Sequence, residues 1–227
     1  MAERDVTTKT ADEARMPAHE VVYRALRSRI LYGEMAPGQP VTIQGLADST
    51  GAGMTPVREA IRRLTAEGAL VFQDNRRVSV PVVDAGAAEE LIFARRALEP
   101  ELARRAAGQA TPEALARLGA EDAALDRAIA RGDVGGYLRH NHGFHAALYR
   151  VASAPILADL AQGLWLRFGP SLRIVCGRVG TGSLPDRHKE IMDALAAGDG
   201  EAAEAAMLED IEQGMAALKA GIAAGER

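Results

Sequence analysis

The sequence predicts a mainly α-helical chain: three helices and a β-hairpin at the front, then an all-helical antiparallel bundle. Three observations carry this. Apolar residues recur at helical spacing in three short segments before residue 65. After Gly68 the period drops to two for a pair of short runs. From Asp84 onward the helical period returns and stays. Composition agrees, since about half the residues are hydrophobic, aromatics are scarce and Ala is abundant, which suits closely packed helices.

Residues 1–17 are polar, charged and unpatterned, and are expected to form a disordered tail. A first helix runs from Ala18 to about Tyr32, with Val22, Leu26 and Ile30 on its buried face and Gly33 at its end. Pro37-Gly38 sets a turn, Thr42 can cap a second helix, and Gly51-Ala52-Gly53 ends it. The third helix is the most explicit stretch of the chain. Thr55 can cap it, Pro56 suits its first position, and Val57, Ala60, Ile61 and Leu64 form one apolar stripe. Arg58, Arg62 and Arg63 lie off that stripe, and Gly68 is a left-handed stop. Residues 69–72 and 78–82 read as strands, joined by a basic tip that carries Arg76 and Arg77. Helix, turn, helix and hairpin in this order make a winged helix-turn-helix over residues 18–82. Such a module places the third helix in a major groove and the hairpin tip on phosphates or a minor-groove edge.

The second part, residues 84–222, reads as helices throughout. Asp84 can cap a long helix to Ala107, and Thr111-Pro112 starts the next. Further helices span residues 134–152 and Ile156–Arg167, and Gly169-Pro170 is expected to kink or divide the latter from Ser171–Cys176. The last two are expected from Pro185 to Ala197 and from Glu201 to about Ala220.

Charge divides unevenly along the chain. Residues 18–82 carry eight Lys/Arg against six Asp/Glu, and residues 83–227 carry sixteen against twenty-one, within a total of −4. That asymmetry fits a DNA reader joined to a second module. Cys176 is the only cysteine, so a disulfide framework is excluded. No apolar run approaches the roughly 18 residues of a membrane span. The N-terminus lacks a signal-peptide core. A soluble, cytoplasmic protein without membrane partners is expected.

The front half resembles the GntR family of bacterial transcription regulators. The resemblance rests on residues 31–38 (Leu-Tyr-Gly-Glu-Met-Ala-Pro-Gly), on Leu46-Ala47, and on Thr55-Pro56-Val57-Arg58-Glu59-Ala60 with Arg63-Leu64 and Glu67-Gly68. The back half resembles the FCD effector domain of the FadR-like branch, through Arg95–Glu99, Asn141–Leu148 and His188–Ile191 with Ala194-Leu195. The resemblance implies a dimeric repressor or activator whose helical domain binds a small organic acid; the expected function is a homodimeric repressor released by that acid, acting on double-stranded DNA with a pseudo-palindromic operator. Two positions depart from the family. Gly53-Met54 stands where a Ser-Arg pair is usual, and Arg77 where the wing usually has glycine. DNA binding is expected through Thr55, Arg58, Arg62, Arg63, Arg76 and Arg77, with altered base preference. Arg63 can instead pair with Glu59 one turn away.

Asn141 and His145 share one helix face. In the family these positions hold an acidic residue and a histidine that bind metal, with two further histidines downstream. His188 matches the first of those, and Asp210 stands in place of the second. The resemblance therefore implies a four-ligand site for a divalent metal made of Asn141, His145, His188 and Asp210, chemically suited to Zn, Ni or Mn. A ligand pocket without metal is the competing reading. Arg95 is expected to anchor the carboxylate effector, its alternative being a solvated ion pair with Glu99. Arg173 is expected to join the pocket. His140 and His142 receive no role, and Trp165 is read as core. Two rival functions are a helical metal-dependent enzyme using His145, His188 and Asp210, and an interaction module that no longer reads DNA specifically. The chain offers no additional general base or nucleophile for the first.

Overall fold

A computed structural model of the chain describes residues 16–73, 77–179 and 187–225. The expected tail at 1–15, the hairpin tip with Arg76, and the expected helix start at Pro185 lie outside those residues.

The chain opens with α1 (Ala18–Leu31), whose buried face includes Val22, Leu26 and Ile30. A two-residue strand, β1 (Pro40–Val41), leads into α2 (Ile43–Thr50). Thr42 caps α2 by accepting from the Gly45 amide, and Gly51 ends it at φ 66°. Next comes α3 (Met54–Ala66), then β2 (Val71–Phe72) and β3 (Val78–Ser79). The three strands form an antiparallel sheet in the order β1-β3-β2, with Val78 opposite both Val41 and Phe72. Strand β1 escapes sequence reading because two residues show no period, and Pro40 belongs on an edge strand where no donor is needed. Strand β2 is shorter than the residues 69–72 predicted. The Ala69 and Leu70 amides both donate to the Leu64 carbonyl and close the end of α3 instead of extending the sheet.

The helical part contains α4 (Ala85–Ala107), α5 (Pro112–Arg131), α6 (Val134–Val151), α7 (Pro155–Val179), α8 (His188–Ala197) and α9 (Gly200–Gly225). Asp84, Thr111 and Asp133 cap α4, α5 and α6 through their side chains. Helix α4 is central, packing along α9 and against α6, α7 and α8. Its buried Ala88, Ala103 and Ala106 permit close approach to neighbouring helices. The division allowed for at Gly169-Pro170 does not occur: α7 continues as one helix through Pro170. Pro170 removes one helical hydrogen bond and crowds the preceding turn, at a cost of about 3 kcal/mol. The segment nevertheless buries Trp165, Leu166, Phe168 and Leu172, and that burial outweighs the local penalty.

Helix α7 also joins the two parts, since it packs against α1. The Leu31 carbonyl lies so close to Gly169 that a Cβ there would sit 2.3 Å from its oxygen. Only glycine permits this approach.

Candidate functional site

The outer face of α3 is built by one apolar stripe facing inward. With Val57, Ala60, Ile61 and Leu64 buried, the exposed side holds Met54, Thr55, Arg58 and Arg62 at successive turns. The helix starts two residues earlier than expected. Gly53 is the N-cap and no side chain caps it, so Thr55 is the second helical residue and its hydroxyl remains on the exposed face. Arg58 and Arg62 line one groove together with Phe72 of β2 and Arg77 beside β3. Arg62 also pairs with Glu59 at 2.7 Å.

Arg63 behaves differently from its neighbours. Its guanidinium pairs with Glu20 at 2.8 Å and Glu67 at 3.1 Å and lies 3.6 Å over the Tyr23 ring. The Tyr23 hydroxyl in turn donates to Glu67. Arg63 therefore clips α3 to α1, and the expected pairing with Glu59 belongs to Arg62 instead. The turn geometry explains this: Arg63 follows Glu59 by four residues, but α1 presents two better-placed groups on that side.

The second site is a small cavity between α4, α6, α7 and α9. Arg95, Asn141, His145, Trp165 and Asp210 are among its walls. Only about 30 Å³ is open to the centre of a water-sized sphere. One water needs roughly 10–15 Å³ on that measure, so the space suits an ion with a water or two. A small carboxylate requires the walls to move.

Arg95 is 4% exposed and Glu99 0%. The guanidinium donates through Nε and Nη2 to the two Glu99 oxygens, with 2.9 Å at Nη2, and it lies 4.8 Å and 4.7 Å from the Trp165 and Phe168 ring centres. Burial alone lowers such a pKa, but the Glu99 charge outweighs it and holds Arg95 above its ordinary range. The ion pair expected as the alternative thus forms, yet it is buried rather than solvated. Arg173 does not line the cavity. Its Nη1 donates to the Tyr32 carbonyl at 3.4 Å, so it belongs to the junction with α1.

His145, His188 and Asp210 each bring a donor atom within 4.8 Å of the others, and all three residues are buried. Asn141 faces the same cavity one turn from His145. His145 Nε2 lies 3.3 Å from Asp210 Oδ2. That is long for a charge-assisted hydrogen bond. Two ligands about 2.0–2.1 Å from a tetrahedral ion stand roughly 3.4 Å apart, so this spacing fits a metal. Burial opposes the charged form of Asp210, but hydrogen bonding from His145 and the nearby imidazoles hold its carboxyl well below the usual range. A carboxylate ready to ligate is the result. The donor set is compatible with Zn, Ni or Mn.

Several residues of this site are silent in the sequence. Asp122 on α5 is buried, with Oδ1 3.3 Å from His188 Nδ1, and the His188 imidazole lowers its pKa against burial. Glu99 places Oε2 3.9 Å from His145 Nδ1. Trp165 Nε1 donates to the Tyr149 hydroxyl at 3.1 Å. His142 was expected to have no role, yet it is wedged edge-on between Tyr32 and Trp165, and burial pushes its pKa down to about 3. Asp122 and Tyr149 lie in no motif, and Glu99 and His142, though within the family strings, owe these contacts to helices remote in the sequence.

Residues 18–80 match the gntR family of bacterial regulatory proteins, and residues 90–213 match the FCD domain. The HTH-type transcriptional regulator McbR of Escherichia coli K12 is 29% identical over 196 residues, 85% of this chain and 89% of McbR. The HTH-type transcriptional repressor RspR of the same organism is 25% identical over 209 residues, 92% of each chain. The solved structure of E. coli McbR/YncC superposes with a TM-score of 0.83 at 28% identity, covering 89% of this chain and 97% of that one. These families and relatives are regulators rather than enzymes. With its winged helix-turn-helix followed by an FCD domain, the chain belongs to the GntR family and is a transcriptional regulator.

Proposed function

We propose that this protein is a ligand-responsive repressor that works in the cytoplasm as a homodimer. Residues 18–82 read DNA, and residues 84–222 bind the effector and dimerise. Two α3 helices about one helical turn of DNA apart then engage a pseudo-palindromic operator. Thr55, Arg58, Arg62 and Arg77 contact the duplex; Arg76, outside the described residues, is the remaining expected contact. Repression is adopted from the name of one relative, RspR.

The observation that carries the reading is the position of α7. One side of it, with Trp165 and Phe168, closes the cavity; another, at Gly169 and Arg173, holds the end of α1. A small carboxylate cannot enter about 30 Å³ without displacing those walls. Its binding thereby favours one placement of α1 and α3 over another, which is what an effector must do to shift DNA affinity. His145, His188, Asp210 and Asn141 would hold a divalent ion. Such an ion supplies positive charge for an anionic ligand, which Arg95 alone offers poorly while Glu99 neutralises it.

A thermal-shift screen of chelator-stripped protein against small carboxylates, with and without Zn²⁺, Ni²⁺ or Mn²⁺, tests the pocket. Ligands that raise the melting temperature should then weaken operator binding in a gel shift. A stabilising ligand that leaves operator affinity unchanged removes the coupling. His145→Ala should lower metal affinity at least 100-fold; unchanged metal content removes the ligand set.

A further inference from the structure

We propose that Asp122, on α5 outside the ligand set, is a positioning residue that fixes which nitrogen of His188 faces the metal. This rests on the reading of His145, His188 and Asp210 as metal ligands. Asp122 is 5% exposed, and a carboxylate so buried is costly without a donor beside it. His188 Nδ1 stands 3.3 Å from its Oδ1. The contact is at ion-pair distance rather than a formed hydrogen bond, and a proton on Nδ1, drawn toward the buried carboxylate, leaves the Nε2 lone pair at the opposite edge of the ring. Phe144 stacks on the same ring, with centres 3.7 Å apart and planes within 10°, and so sets its tilt. Charge and stacking together fix the tautomer and the plane of His188, which comes from a helix other than those of His145 and Asp210. Glu99 Oε2 lies 3.9 Å from His145 Nδ1, beyond hydrogen-bonding distance, and is itself held by Arg95. Carboxylates behind metal-bound histidines typically govern metal affinity by 10–100-fold.

The test uses the full chain, stripped with chelator and titrated with Co²⁺, whose visible absorption reports ligand geometry. Asp122→Ala should weaken Co²⁺ binding about 10–100-fold and alter the band. Asp122→Asn keeps an acceptor without the charge, is nearly isosteric, and should fall between. Asp126→Ala, on the same helix in an exposed pair with Lys189, should bind as the unsubstituted protein does. Independently of metal, ¹⁵N chemical shifts should show the His188 proton on Nδ1, and a mixture of tautomers in Asp122→Ala. Unchanged Co²⁺ affinity in both folded Asp122 variants, or a proton on Nε2 in the unsubstituted protein, overturns the role of Asp122 and leaves the metal reading standing. No Co²⁺ binding by the unsubstituted protein overturns the metal reading and this proposal with it.

Discussion

The exposed face of α3 and the cavity behind α4 place arginines in opposite situations. On α3, Arg58 is exposed and Arg62 makes one surface pair with Glu59. Such groups stay hydrated, contribute little to folding, and remain available to phosphates. In the cavity, Arg95 is enclosed by two aromatic rings and held bidentately by Glu99. There the charge is structural first, and any ligand must compete with an existing partner. Identical side chains are thus left accessible to a partner in one place and fixed in the architecture in the other, and burial decides which.

The contrast can be broken most forcefully at Glu99. Glu99→Ala leaves a buried guanidinium without its counter-charge, and urea unfolding should register a loss of about 3–5 kcal/mol. Replacing both Arg95 and Glu99 by Leu should cost less than that single change; an equal or larger loss means the pair itself, rather than the stranded charge, carries the stability.

A smaller effect distinguishes the buried site through pH. The folded His142 pKa, pushed down to about 3 by burial, lies below its ordinary value near 6.5. Its stability is therefore complete above pH 6.5 and is lost as pH falls toward 3, about 2 kcal/mol by pH 5. His142→Phe should flatten melting temperature against pH across that window. An unchanged slope means another group is responsible. Asp210 and Asp122, whose carboxyls are lowered, act only below about pH 4.

On DNA the effects are smaller still per residue but separable by salt. Arg58→Ala should weaken duplex binding and reduce the slope of log affinity against log salt by about one, measured by anisotropy. Arg63→Ala should leave that slope alone and lower the melting temperature slightly, because Arg63 is occupied by Glu20, Glu67 and Tyr23. A loss of slope in Arg63→Ala would return it to the DNA face.

These differences follow the limits of what a linear sequence carries. The order of helices, their inward faces and the caps at Thr42, Asp84 and Thr111 depend on spacings of three or four residues, and all were legible. The family resemblance pointed to His145, His188 and Asp210, whose donor atoms do converge. Local propensity allowed a division at Gly169-Pro170, but the packing of α7 on both sides of it keeps one continuous helix. Arg173 misled because nothing near it in sequence reveals that the end of α1 lies within its reach.

By itself, then, the sequence determined the two-part architecture, the arginine-bearing face of α3 and the identity of the clustered donors. Period, capping chemistry and motif are properties of neighbouring residues. Only the tertiary structure decided which charges are buried and with whom. It alone paired Arg63 with α1, set Arg95 under two aromatic rings, and placed Asp122 beside His188. Those outcomes depend on distances between helices far apart in the chain, and ionic partnership is governed by distance and solvent exclusion rather than by order along the backbone.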